Sequence, residues 1–168
     1  MDSAKLNDWM QVVGIFAVVA SLLFVGLQMK QDREIALAAQ FQQRVDTALE
    51  LWNGFAESEY DVRRYGNRYV GNPDFNQIFG DETTPELLGH AYISSRKTLV
   101  VLENHHYQYI LGFYDEETWS MFRSQIRTHL ASNQFTRMLV RKTRTFIRPA
   151  FLELLDEILV EIEADEDN

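Results

Sequence analysis

The sequence predicts an all-α protein: one N-terminal transmembrane helix continues into a juxtamembrane helix and packs with a soluble helical bundle. Three observations carry this. From Trp9 to Met29 there are 21 residues without a charge. From Leu27 to Asn53 neither Gly nor Pro interrupts a stretch dominated by good helix formers. Beyond it, helix start and stop signals recur, and no run of alternating polarity is long enough for a useful strand.

At 1.5 Å per helical residue the charge-free run spans roughly 30 Å, the thickness of a bilayer hydrocarbon core. A cleaved signal peptide fits less well. Met1 to Asp8 sets two acids against Lys5, and the small-residue triplet Ala36-Leu37-Ala38 lies behind Lys30, Asp32, Arg33 and Glu34. A buried core helix seldom stays uncharged on every face for five turns. Only Lys5 precedes the run as a base, whereas Lys30, Arg33 and Arg44 follow it closely, so the positive-inside tendency puts the N-terminus outside and the body in the cytoplasm. Gly14, Ala17 and Ser21 form a stripe of small residues on which a second membrane helix would pack closely.

The helix then acquires one apolar seam. Ala38, Phe41, Val45, Ala48, Trp52 and Phe55 alternate spacings of three and four. A seam must be covered, either by the rest of the chain as a bundle or by the same seam of a second copy as a parallel coiled coil. Its aromatic content favours the bundle, because long zippers prefer aliphatic positions. The expected organisation is an anchor over 1–29, a juxtamembrane amphipathic helix over 30–57, and a bundle over 58–168 ending in an acidic tail.

Residues 58–83 read as a connector that holds one short helix in "NPDFNQIF", with Asn72 as N-cap and Pro73 in the first turn. In "TTPELL" either threonine caps the next helix, and Glu86 completes a capping box with Thr83. That helix runs to Gly112, with Leu88, Tyr92, Ser95, Leu99, Leu102, His106 and Tyr109 inward. Asp115 caps another helix, carrying Trp119, Phe122, Ile126 and Leu130. After a break at "ASNQ", a segment with Phe135, Met138 and Leu139 precedes a last helix that opens at Pro149 and turns Leu155, Ile158 and Ile162 inward.

The chemistry the chain excludes is extensive. With no cysteine it has no disulfide, zinc-thiolate site, iron-sulfur cluster or cysteine nucleophile. A net charge of -9 disfavours nucleic acid as a partner. No Ser-His-Asp arrangement or phosphate-binding glycine loop occurs at a recognisable spacing, so no catalytic residue and no cofactor is expected. Glu103 and His106 form an E-x-x-H pair of the kind found in carboxylate-bridged di-iron bundles, but the second such pair is missing, and a histidine at the core edge is the simpler reading.

Charge is distributed in blocks. Between Thr118 and Leu152 there is no acid, and Arg123, Arg127, Arg137, Arg141, Lys142, Arg144 and Arg148 supply seven positive charges; from Glu153 onward there are eight acids and no base. Arg137, Arg141, Lys142, Arg144 and Arg148 are candidates for contact with anionic lipid, each charge near the surface contributing about 1 kcal/mol. Pairing with acids of the same chain or a neighbour is the competing reading. The final "EADEDN" reads as a solvated acidic tail.

The segments "VVASLLFVGLQMKQDREIALAAQFQ", "NPDFNQIF" and "VLENHHYQYILGFYDEETW" together resemble a family of short, uncharacterised bacterial single-pass membrane proteins, in which a membrane helix is followed by an E-N-x-x-Y-Q-Y-x-x-G segment. The resemblance implies a bacterial inner-membrane location and no activity. The function expected is a non-enzymatic, membrane-anchored interaction or accessory module. Its partners would be the lipid bilayer and either a second copy of the chain or another membrane protein. The alternatives are a membrane-tethered carboxylate/histidine metal protein and an anionic-lipid surface sensor.

Overall fold

The computed structural model describes residues 3–80 and 83–166, with side chains from residue 7. Among them are seven α-helices and no strand: α1 (Ser3–Glu57), α2 (Glu59–Gly66), α3 (Pro73–Phe79), α4 (Pro85–Ile110), α5 (Glu116–Ser132), α6 (Gln134–Lys142) and α7 (Pro149–Glu166), with one 3-10 turn at Arg144–Phe146. The chain is all-helical, as its sequence predicts. It divides into two compact units, Met1–Gln40 and Phe41–Asn168. That boundary falls inside the expected juxtamembrane segment 30–57, because from Phe41 onward the seam has aromatic partners in the bundle.

In the first unit α1 continues without a break from its apolar run into its charged stretch. No residue of the run from Trp9 to Met29 is buried. Trp9, Phe16 and Leu22 are each about two-thirds exposed, at 68%, 71% and 67%.

In the second unit the predicted seam is covered by the same chain. Residues 41–57 of α1 lie antiparallel to α4: Trp52 meets Tyr92 at 5.8 Å between ring centroids, and Phe41 meets Tyr107 at 4.4 Å. Val45 is buried, and Phe41, Ala48, Trp52 and Phe55 are half-buried. The bundle reading therefore holds for this stretch. Helix α4 is the hub. It packs on α2, α5, α6 and α7, and its contact with α6 includes a fully buried hydrogen bond between the Ser95 and Thr136 hydroxyls, 2.8 Å apart. Apolar surface removed from water, contributed by Leu88, Ile93, Ile126, Leu130, Leu139, Leu155 and Ile158, drives this assembly.

The caps follow the sequence closely. The Asn72 side chain accepts from the Asp74 N–H at 3.1 Å, and Asp115 accepts from Thr118 at 2.8 Å. Gly112 takes a positive φ of 79° just past the end of α4, as a left-handed stop requires. At the start of α4 it is Thr84 that caps, accepting from the Leu87 N–H at 3.2 Å. The expected box between Thr83 and Glu86 does not form; Glu86 instead pairs with Arg63.

Helix α2 is the main departure. The segment expected to be a connector begins with an eight-residue helix, capped by Ser58, whose hydroxyl accepts from the Asp61 N–H. Its glycine is no loop signal. Gly66 and Gly89 are both buried where α2 crosses α4. A Cβ on Gly66 would stand 1.7 Å from the Pro85 carbonyl oxygen, and one on Gly89 2.0 Å from that of Val62. Only hydrogen at these positions lets the backbones approach so closely. The obstructing atoms are main-chain, so no rotamer change makes room.

Gly66→Ala and Gly89→Ala should each destabilise the bundle by about 2 kcal/mol or more, as overpacking does, and the pair should be less than additive because both force the same two helices apart. Thermal melts by circular dichroism check this, with Gly71→Ala, at an open turn, as a comparison that adds backbone strain without overpacking.

Candidate functional site

The chemistry-bearing side chains converge on the second half of α4. Glu103 accepts a hydrogen bond from the Arg148 backbone N–H at 3.2 Å, just ahead of α7. Burial pushes its carboxyl above the usual range, and the Arg148 N–H, the Arg148 charge and the Arg96 charge oppose that shift. His106, one turn on, lies between the rings of Trp119 (5.4 Å) and Phe151 (5.6 Å). Burial and the Arg148 charge hold its imidazole below the ordinary value of 6.5. It is the core-edge histidine that the sequence favours.

Glu103 and His106 do line one cavity, together with Tyr107, Ile110, Arg148, Ala150 and Phe151, of about 20 Å³. That volume is room for about one water. Among the described residues no three His, Cys, Asp or Glu side chains are grouped as metal ligands. His105 points elsewhere, stacking on Phe122 at 4.0 Å with its Nδ1 3.0 Å from the Tyr114 hydroxyl.

The basic block meets the acidic block. Arg123 and Arg127 of α5 pair with Glu161 and Asp165, Arg137 and Arg141 of α6 with Glu166 and Glu163, Arg144 with Asp156, and Lys142 with Asp74 of α3. Of the five lipid candidates, Arg137, Arg141, Lys142 and Arg144 are thus engaged inside the chain. Arg148 stands apart, its guanidinium 4.1 Å from the centre of the Tyr107 ring and 5.1 Å from that of Phe41. The acidic end is structured rather than a free tail: Glu163, Asp165 and Glu166 belong to α7, and Asp167 and Asn168 lie outside the described residues. Acids at a helix C-terminus oppose its dipole, and the arginines offset that repulsion.

Gly14, Ala17 and Ser21 all lie exposed on the apolar run, and a Cβ on Gly14 would meet nothing within 4 Å. A larger hollow in the second unit, about 520 Å³ and open to solvent, is lined by Thr47, Glu50, Leu51, Gly54, Phe55 and Asp61. Sequence periodicity gave no sign of it, since its walls come from the back of α1 and from the unforeseen α2. Arg96 also escaped notice; it lies over the rings of Trp52 (5.9 Å) and Phe146 (5.7 Å). Burial of the Tyr69 phenol beside Tyr92 pushes its pKa up to about 12.

No protein-family model, curated protein or solved structure matches the chain.

Burial depresses His105, His106 and His129 below 6.5. The unfolded chain therefore binds protons first, and stability is full above pH 6.5 and falls as pH drops below it. Glu103 acts with the opposite sign: its raised carboxyl costs stability above its ordinary 4.5 and returns it on acidification through the folded value. The melting temperature should fall between pH 7.5 and 5.5, and His105→Gln with His129→Gln should shrink that fall. An unchanged pH slope in the double variant would count against burial of these rings.

Proposed function

We propose that this protein is a membrane-anchored, non-catalytic interaction or accessory module of a bacterial inner membrane, with α1 as its single span and its helical body in the cytoplasm. The observation that carries the reading is the run from Trp9 to Met29. It is long and apolar enough to cross a membrane, and none of its most apolar window is buried within the protein. In water, so large an apolar surface would be costly; in hydrocarbon it is matched to its surroundings, and the helix satisfies its own backbone. A soluble core helix would instead have its apolar faces covered.

The excess of Lys30, Arg33 and Arg44 over Lys5 supports an outside N-terminus. The body supports a binding rather than a catalytic role. Its chemistry-bearing residues surround a cavity of about 20 Å³, and the basic block from Arg123 to Arg144 is spent on acids of the same chain. The resemblance to short single-pass membrane proteins points the same way. A second copy of the chain or another membrane protein is the partner this reading expects.

The full-length chain, expressed in a bacterium, should stay with the membrane pellet after alkaline carbonate extraction and keep its apolar run, as intact mass shows. A C-terminal fluorescent-protein fusion should glow and an alkaline-phosphatase fusion should stay inactive. Release by carbonate, loss of the run by cleavage, or an active phosphatase would each overturn the corresponding part. Native mass spectrometry of the gently extracted protein then separates a homo-oligomer from an accessory subunit of another complex.

A further inference from the structure

The hollow of about 520 Å³ on the back of α1 lies wholly within the second unit. Thr47, Glu50, Leu51 and Gly54 recur at three- and four-residue spacing and so share one face of α1. Phe55, from the end of the same helix, and Asp61 of α2 complete the walls. The size falls among the clefts of about 300–1,000 Å³ that hold small organic ligands.

Packing does not account for Gly54. It sits inside α1, where glycine is a poor helix former, its φ is not positive, and a Cβ on it would meet nothing within 4 Å, in contrast to Gly66 and Gly89. What the missing side chain does is keep the floor of the hollow open beside Leu51, which is 56% exposed. The polar groups around that floor are acceptors. Among the described residues the Glu50 carboxylate has no hydrogen bond or ion pair. Asp61 gives Oδ1 to Arg64 at 3.1 Å, which leaves its Oδ2. Thr47 spends its hydroxyl proton on the Gln43 carbonyl at 2.9 Å and keeps only lone pairs to offer. No Lys, Arg or His lines the hollow. Two carboxylates and a hydroxyl oxygen around an apolar floor call for a charged donor, and Leu51 and Phe55 call for an apolar body attached to it.

We infer that the hollow binds a small organic ammonium ion, its charged head beside Glu50 and Asp61 and its apolar body over Gly54, against Leu51 and Phe55. A neutral molecule of the same shape leaves the carboxylates without a counter-charge, and an anion is repelled by them. The site belongs to the body alone and gives it a ligand of its own, beyond the anchored role proposed above.

The probe is para-fluorophenethylammonium chloride, compared with para-fluorophenethyl alcohol and para-fluorophenylpropanoate, which share its ring. Each is titrated against the full-length protein in a neutral detergent and followed by fluorine NMR, with protein-free detergent as the blank. The ammonium should bind at least fivefold more tightly than the alcohol, and the carboxylate more weakly than either. Glu50→Gln, at an exposed position, should remove most of that advantage. Gly54→Leu fills the floor with a better helix former, and should abolish binding without lowering the melting temperature. No saturable binding of the ammonium, or equal affinity for ammonium and alcohol, would overturn the site. Binding retained in Gly54→Leu would place the probe elsewhere and overturn it as well, and an advantage undiminished in Glu50→Gln would overturn the carboxylate contact. None of these results bears on carbonate extraction of the chain, so the ligand site and the anchor fail separately.

Discussion

The bundle depends on the close crossing of α2 and α4 at Gly66 and Gly89. Two backbones at that separation bring Tyr65 and Tyr92 into a stacked pair, centroids 5.1 Å apart with 20° between planes. Trp52 of α1 then rests on both rings, and Phe55 rests on Tyr65. From Tyr92 the contacts pass through Tyr69 and Phe75 to Phe135 of α6. The seam of α1 is thus received by an aromatic layer whose spacing two hydrogen atoms determine. A methyl at either glycine would act through that layer on helices it does not touch.

Charge order encodes the remaining topology. Arg123 and Arg127 reach Glu161 and Asp165, a constant offset of 38 residues, so α5 and α7 run parallel. Along α6 the order reverses, with Arg137 on Glu166 and Arg141 on Glu163, as an antiparallel neighbour requires. Exposed pairs of this kind add little stability singly. Their order reports helix direction more than register, since a one-turn slide of α7 would set Glu157 and Glu161 opposite Arg123 and Arg127 while breaking the α6 pairs. A sequence with a basic block followed by an acidic one therefore reads as two helices facing a third.

Legibility in the sequence followed how local the governing interaction is. The seam of α1, the Asn72 and Asp115 caps and the Gly112 stop were legible because each depends on residues within about one turn. Helix α2 was not, because it turns only Val62, Tyr65 and Gly66 inward, too few to set a period, and the reason for its glycine lies on α4. The choice between Thr83 and Thr84 as cap was not legible, since both threonines precede Pro85 and the partner of Glu86, Arg63, lies 23 residues away. For the candidate site, the E-x-x-H pair showed where Glu103 and His106 lie in the sequence, but their chemistry depends on Arg148, forty-five residues beyond Glu103. The pairing of the arginine block was legible as one of two alternatives, and the exception of Arg148 was not, since Phe41 and Tyr107 are brought to it only by the fold.

That exception separates Arg148 from the rest of its block. Two of the perturbed groups, Glu103 and His106, line a cavity of about 20 Å³, and Arg148, the one side chain of the basic block with no ion pair among the described residues, lies over two aromatic rings. Several interior polar groups hold helices together, Ser95 on Thr136, Asn104 on Gln42 and Glu103 on the residue ahead of α7, whereas Asn76 Oδ1, Arg96 Nε and His129 Nε2 are buried without a partner among the described residues. Arg148 lies at the end of the body that carries Phe41 and Tyr107, and the rings of these two residues hold its guanidinium.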